Sequence, residues 1–551
     1  MRKTKGITLI ALVITIIILL ILSGISISAL TNQGLFKNAK LAKEKAEKEQ
    51  KKETSLLDQY ESELNKYIEN GRWDGKVNKP ELMTGMSAIK FTDPTDSAEG
   101  TTVDTTSNDT EWYNYENKKW ANAKTEDGSM WVWIPRYAYR IHKENGVETQ
   151  KFDVVFLVGL TDTYYDENGK LQTAQRQTSE DQTIVTNGDT YTVHPAFTNE
   201  SSINYANGGW DVELAGIWVA KFEAGYASGN NSATVKASSV NYSQDTAYVP
   251  AVETGTTTKT ATARNWLDGE YGSTTTAIKY PTFQGLTYSM NYINHNDVYR
   301  ISKVLTESGN IYGLSSNSTD SHLMKNSEWG AVSYLSQSKY GLDGTNIVIN
   351  SVYLNNTTKS VYAVTGCASS TADASAVSTT IGALNNRTQS SVYVWTQKNG
   401  TAASSTGTIY GIYDMAGGIS ERTSSLINNK NDNLKTYGSQ IIADLNNGKS
   451  TKYITIYPTG ETLGQTMAQA SQANYTNNTK IYGDAIKETS TLGTGTNSWY
   501  SDCSDFVGLS TPFLLHGGYY GGTSISGCFA FGRTSGNGSY NRGFRSVLVS
   551  L

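Results

Sequence analysis

The sequence predicts an α+β protein in which an N-terminal transmembrane and stalk helix precedes a large β-rich domain. Three observations lead there. An uncharged apolar run follows a short basic leader, and a Lys/Glu-rich stretch with an apolar stripe comes next. The remainder is rich in Gly (50) and Tyr (35), with only 8 Pro. Tyr and Thr suit half-buried strands, while Gly and Asn suit turns. At 551 residues the chain is long enough to bury several cores. Charged residues make up 18% and the net charge is −5, so no global field favours nucleic acid. The Tyr-rich segments also lack the interleaved Lys and Arg that a single strand requires. Cys367, Cys503 and Cys528 have neither ligand-like spacing nor an even number, so no zinc site or disulfide framework is expected. Whether Cys503 and Cys528 pair is open at this point.

Residues 7–27, from Ile7 to Ile27, carry no charge and follow Arg2, Lys3 and Lys5. As a helix rising ~1.5 Å per residue the run covers roughly 30 Å, the thickness of a bilayer core. The basic leader keeps the N-terminus cytoplasmic, which predicts a single-pass cell-membrane protein with its C-terminal domain outside. The alternative is a secretory signal cut near Ser26-Ile27-Ser28. The leader ending in Gly6, joined to a long apolar helix, resembles type IV prepilins and pseudopilins. That resemblance implies processing between Gly6 and Ile7 and packing against other pilin-like subunits. The chain departs from the pattern at Ile7, where Phe is usual, and at Ala11, where Glu is usual. Residues 28–70 read as a charged stalk helix. Lys and Glu alternate through Lys37–Glu53, and Leu57, Tyr60, Leu64 and Tyr67 form a stripe before Gly71.

Residues 71–129 read as a β-rich linker region, with Asp93–Asp109 as its loop. Trp131-Val132-Trp133-Ile134-Pro135 after Glu126-Asp127-Gly128 is a strand signal. The clustered Trp112, Trp120, Trp131 and Trp133 fit either a carbohydrate platform or the core of a β-rich domain. Phe152–Leu160 and Ile217–Tyr226 are further strand candidates, Ala227–Ala263 a long polar loop, and Leu286–Tyr292 and Ser321–Leu335 helices.

Four ordered motifs across 130–551 resemble the formylglycine-generating-enzyme-like branch of the C-type lectin fold. Gly216–Tyr226 is similar to its early strand, and His322–Trp329 to Arg-Leu-Pro-Thr-Glu-Ala-Glu-Trp. Gly411–Arg422 is similar to Gly-Leu-Tyr-Asp-Met-x-Gly-Asn-Val-x-Glu-Trp, and Gly517-Gly518 with Gly543-Phe544-Arg545 to the closing Arg-Gly-Gly-x-Trp and Gly-Phe-Arg. The resemblance implies a loop-rich domain of antiparallel sheets whose C-terminus returns to the core. The family's oxidases bind copper through a cysteine pair near the C-terminus. Here only Cys528 and the distant Cys503 are available, and no catalytic residues are expected. Ser504, Asp505 and His516 lack the turn context of a nucleophile. No metal site or cofactor is assigned. Calcium stays open, with Asp414 and Glu421 as its candidate ligands and strand-end capping or core hydrogen bonding as their other role.

The last segment, 513–549, is the most informative. From Val507 to Leu551 there is no Lys, Glu, Gln, Met or Trp. The segment resembles the variable region of proteins targeted by diversity-generating retroelements, which rewrite adenines in a 3′ template. Asn codons ending in a pyrimidine, changed at their first two bases, cannot reach those five residue types. Tyr supplies rigid contact area while Ser, Gly and Asn supply adaptable hydrogen bonds, as in antibody paratopes. The expected ligand-contacting and variable positions are Tyr519, Tyr520, Thr523, Ser524, Ile525, Cys528, Arg533, Thr534, Tyr540, Asn541 and Arg542, with Gly517, Gly518, Phe544 and Arg545 as scaffold. The expected function is a surface-displayed, adhesin-like binding protein that holds an unidentified protein or glycan through this segment and the membrane through residues 7–27. The alternatives are a structural minor pilin or pseudopilin tip protein and, third, a formylglycine-generating-type enzyme. Nucleic acid is not an expected partner.

Overall fold

The structure is a computed structural model. It describes residues 13–22, 40, 43, 45–52, 73–92, 100–105, 111–176, 190–199, 209–226, 280–287, 289–291, 293–356, 360–368, 393–429, 431–446, 451–457, 471–478 and 481–551. The chain divides into two compact units, 1–70 and 71–551.

In the first unit, residues 13–22 are helical and exposed. Lys43–Glu47 and Lys52–Glu49 pair at 3.7 and 3.3 Å, the spacing a solvated helix uses. No helix among the described residues is long and apolar enough to cross a membrane. The expected transmembrane helix, and with it the single-pass membrane localisation, is therefore withdrawn. The Gly6–Ile7 junction, Ala11, the rest of the apolar run and most of the stalk lie outside the described residues.

The second unit corrects the α+β class. It is β-rich with few helices, and none of its helices exceeds 11 residues among the described residues. Its principal strands, in chain order, are β1 (Met86–Lys90), β2 (Thr101–Thr102), β3 (Asn122–Thr125), β4 (Met130–Pro135), β5 (Tyr137–Glu144), β6 (Val147–Phe156), β7 (Thr192–Val193), β8 (Gly216–Ala220), β9 (Thr319–Leu323), β10 (Ser420–Ile427), β11 (Thr455–Tyr457), β12 (Phe513–His516), β13 (Phe531–Thr534), β14 (Arg542–Phe544) and β15 (Ser546–Ser550). Two helices matter for the site, α1 (His295–Ser302) and α2 (Asn326–Ser336).

The large sheet runs β9-β15-β8-β4-β3-β1-β2. Residues 71–129 thus supply three of its strands, and the C-terminal strand β15 lies inside it. Every residue of β4 and β8 is buried, because both faces of these central strands are covered. Trp133 and Trp218 pair across the sheet with rings 5.3 Å apart. Gly216 lets the Trp133 ring cross the backbone; a Cβ there would collide with it. The clustered tryptophans are core: Trp120, Trp131 and Trp133 are buried, and each indole N–H has an acceptor, as with Trp120 to the Tyr340 carbonyl at 2.9 Å.

The second sheet runs β11-β10-β12-β13, with β14 pairing in parallel to β10. Strand β10 is its hub, with β11, β12 and β14 all registered on it. A third sheet, β6-β5-β7, faces α2 through Tyr139, Phe152 and Tyr334. Leu286–Tyr292 is not helical in its described residues: Ser289 bridges Gly225 instead, and the helix begins at His295. Ala227–Ala263 lies outside the described residues.

The junction of β5 and α2 carries a titratable group. Glu488 accepts hydrogen bonds from the Tyr139 hydroxyl (2.5 Å), the Tyr334 hydroxyl (2.6 Å) and the Gly483 N–H (2.6 Å). Burial nevertheless pushes its carboxyl up to about 7, from an ordinary 4.5. A raised folded value means that the folded state holds the proton more tightly. The contribution is complete below pH 4.5 and is lost as pH rises through 7. Denaturant unfolding at pH 5 and pH 8 should show a fall in stability, and E488Q should remove on the order of 3 kcal/mol of that fall. An unchanged difference in E488Q contradicts the assignment.

Candidate functional site

The C-terminal segment enters on β12, whose residues Phe513–His516 are all buried. His516 lies on the Trp329 ring at 5.0 Å, and burial pulls its imidazole down to about 3. Gly517 and Gly518 follow, both left-handed (φ +79° and +64°). A Cβ on Gly517 would lie 3.1 Å from the Trp329 ring, and one on Gly518 2.5 Å from Ser526. Conformation and space both require glycine there.

The next loop is pinned from beneath and open above. Asp502 accepts from the Gly527 and Phe529 N–H groups at 2.9 and 3.1 Å. Trp329 Nε1 donates to the Cys528 carbonyl at 2.9 Å, and Ser498 Oγ to the Phe529 carbonyl at 2.8 Å. Burial pushes Asp502 up to about 7, against the pull of those two N–H groups. On the other side Thr523 and Ser524 are exposed, on a short 3₁₀ turn with Ile525. Thr523 is itself left-handed (φ +56°), a strained conformation for a β-branched residue. The tip carries strain while the base is fixed.

Tyr519, Tyr520 and Tyr540 come together in one cluster over buried Ile419 and Ala363. Tyr520 stacks on Tyr353 at 4.4 Å, and Tyr519 meets Tyr520 edge-on at 5.4 Å. Tyr353 belongs to the cluster but carries no sequence signal, because it lies far upstream of the segment. The backbone beneath is tied down: Tyr520 N–H donates to the Gly418 carbonyl (2.8 Å), and Asn291 Nδ2 to the Tyr540 carbonyl (2.9 Å). Arg533 is half-buried and pairs with Asp505 at 3.0 Å. Asn541 and Arg542 are half-buried, each bonded within the same turn, to Ser539 and Asn537.

Three expected contact residues lie inside instead. Cys528 and Thr534 are buried, the first with its carbonyl held by Trp329 and the second receiving the Gly536 N–H at 3.1 Å. Tyr520 is buried in the tyrosine cluster. Their place is in the frame: Tyr520 packs on Tyr353, Cys528 lies in the buried run Ser526–Phe531, and Thr534 closes β13.

That frame is anchored by Arg545, which is fully buried at the step from β14 to β15. Its Nη2 and Nε reach Glu421 at 2.6 and 3.0 Å, while Nη1 and Nη2 donate to the Ala220 and Tyr413 carbonyls at 2.7 and 2.8 Å. One side chain thus joins β10, the end of β8 and the closing strand. Nearby, Glu223 accepts from Ser289 Oγ (2.5 Å) and the Ile419 N–H (3.1 Å). Burial, with Asp414 and Glu421 beside it, pushes its carboxyl well above the usual range. Gly418, where the resembled motif has Asn, leaves room for that carboxyl: a Cβ would lie 3.0 Å from it.

The oxygens of Asp414 and Glu421 are engaged within this network. Asp414 accepts from Asn350 Nδ2 (2.8 Å) and the Gly366 N–H (3.0 Å), and Glu421 from Arg545. No group of three or more His, Cys, Asp or Glu able to hold a metal occurs among the described residues. None of Cys367, Cys503 and Cys528 is in a disulfide, and burial pushes the thiols of Cys503 and Cys528 up, away from the thiolate a metal would need. Ser504, Asp505 and His516 do not form a triad: Asp505 holds Arg533, and the His516 ring lies against Trp329. A cavity of about 780 Å³ lies elsewhere, lined by Trp73, Tyr113, Arg140, Asp153, Tyr165 and Tyr191. Its rings stack on one another and on Arg140 (Trp73–Tyr165 at 5.8 Å, Arg140 over Tyr191 at 4.7 Å), so several ring faces are already covered.

No protein-family model matches the chain, and no curated protein gives a significant match.

Frame and tip should separate in stability measurements. Arg545→Met strands the Glu421 carboxylate and should cost about 3–5 kcal/mol in denaturant unfolding. Thr523→Gly removes tip strain and should leave stability unchanged or raise it by about 1 kcal/mol. Equal losses at the two positions would contradict the division.

Proposed function

We propose that the chain is a binding protein whose ligand contacts come from the C-terminal segment, and that the segment is diversified in the manner of proteins targeted by diversity-generating retroelements. The observation that carries this reading is the contrast within one short stretch. Its ends, Phe513–His516 and Gly543–Val549, are buried, while Thr523 and Ser524 are exposed and Tyr519, Ile525, Arg533, Tyr540, Asn541 and Arg542 are half-buried between them. Side chains on a pinned loop can change without moving the strands that carry it. The residue types support the same reading, since Val507–Leu551 lacks the five that rewriting of Asn codons cannot produce. Asn is also the non-glycine residue that best tolerates the left-handed conformation of Thr523.

Tyr519 and Tyr540 are the proposed anchors, with Tyr520 and Tyr353 supporting them from below. A non-catalytic role follows in this reading, because the carboxylates closest to the segment are spent on holding it together.

Sequencing the 3′ coding region across a clonal population with an active reverse transcriptase tests the proposal. Substitutions should concentrate at Tyr519, Thr523, Ser524, Ile525, Arg533 and Tyr540–Arg542, and be absent at Gly517, Gly518, Phe544 and Arg545. A uniform spread, or an invariant 3′ end with no adenine-bearing template copy nearby, would overturn it.

A further inference from the structure

Strand β10 carries a buried guanidinium of its own, and this one has no counter-charge among the described residues. Arg422 is fully buried, and only its Nη2 is bonded, to the Asn537 carbonyl. Nε and Nη1 have no partner, and Arg422 makes no ion pair among the described residues. Its strand neighbours Leu515 and Phe544 are apolar, so packing alone does not call for a cation. His295, at the start of α1, is also fully buried, with neither ring nitrogen partnered. Its backbone N–H donates to the Gly536 carbonyl at 2.8 Å, and its ring stacks on Phe513 at 4.1 Å. Arg542, half-buried, donates from Nη1 to Asn537 Oδ1 at 3.1 Å. Two guanidinium groups and the backbone of His295 therefore meet at the Gly536–Asn537 turn, and the Arg422 charge acts on the His295 ring. The ionisable groups acting on them are one another, Tyr437 and Tyr540, with no carboxylate among them.

A buried charge is tolerated when it is paired and fully hydrogen-bonded. Two adjacent N–H donors on a planar guanidinium match the two oxygens of an oxyanion. We propose that Arg422, His295 and Arg542 form an oxyanion-binding site beneath the Gly536–Asn537 turn. The Arg422 Nε–Nη1 edge supplies the paired donors, one N–H of the neutral His295 ring a third, and Arg542 the entrance. The ligand class is a carboxylate, sulfate or phosphate, arriving as a free anion or as the acidic group of a larger ligand. Arg422 and His295 lie outside the C-terminal segment, while Arg542 and the Gly536–Asn537 turn lie inside it, so the paired donors are independent of the diversification reading and the entrance changes with it.

The full chain is titrated with inorganic phosphate, glucuronate and glucose by calorimetry and thermal unfolding. Ionic strength is matched with chloride, and ligand is kept below about 10 mM, where general salting effects on burial are small. Phosphate or glucuronate should give a saturable heat and a rise in Tm, with glucose silent. Arg422→Gln should weaken binding at least ten-fold and Arg542→Gln about three-fold. Equal affinity for both anions identifies a free-anion site, and ten-fold preference for glucuronate identifies the acidic group of a larger ligand. Should Arg422→Gln not fold, Arg542→Gln carries the comparison. Identical behaviour of phosphate, glucuronate and chloride, or undiminished binding in the folded variants, overturns the site.

Discussion

The second unit depends on one buried ion pair, Arg545 with Glu421, made at 2.6 and 3.0 Å. Arg545 follows β14 in one sheet and precedes β15 in another, so its guanidinium fixes the point where the chain changes sheets. Burial pushes the Glu421 carboxyl up, opposed by the Arg545 charge. The pair also uses backbone acceptors at Ala220 and Tyr413, which leaves the guanidinium well satisfied. A buried pair of this kind contributes little net stability against an apolar replacement, but breaking it is costly. Its effect here is to make one register of the closing strands far better than its neighbours.

The placement of the C-terminal segment follows from that register. With β12 and β14 both held on β10, the residues between them must leave the sheets and return within a fixed distance. Gly517 and Gly518 make the exit, Asp502 holds the far side, and the Ile419 side chain supports the tyrosines. The cost of ordering the loop is met by buried backbone hydrogen bonds rather than by its surface side chains. This separates what the loop must be from what it can be.

Much of this was legible in the sequence where residue type and conformation are tightly coupled. Gly517-Gly518, Phe544 and Arg545 announced a frame, and the Trp-rich strands announced a core. The ends of the Gly411–Arg422 and Gly543–Arg545 motifs lie side by side, Glu421 opposite Gly543 and Arg422 opposite Phe544. What could not be read was direction and distance. Cys528 and Thr534 lie inside because contacts from Trp329 and Gly536 hold them there, which a Gly/Ser-rich stretch does not reveal. Asp502, Tyr353 and His295 reach the segment from afar, and a lone carboxylate, tyrosine or histidine carries no such address. The apolar run after the leader suggested a membrane span, yet no helix among the described residues is long and apolar enough to be one. Strand pairing over long sequence separations, rather than helical periodicity, determines the class.

The central claim is that a fixed frame carries a permissive face. It is tested most directly by saturation substitution of every position from Val507 to Leu551, with resistance to proteolysis of the displayed full chain as the readout. The account predicts broad tolerance at Tyr519, Thr523, Ser524, Ile525, Tyr540 and Asn541, and near-complete intolerance at Gly517, Gly518, Phe544 and Arg545, with Cys528 and Thr534 behaving as frame. Tolerance spread evenly along the segment, or intolerance at Thr523 and Ser524 equal to that at Arg545, would contradict it.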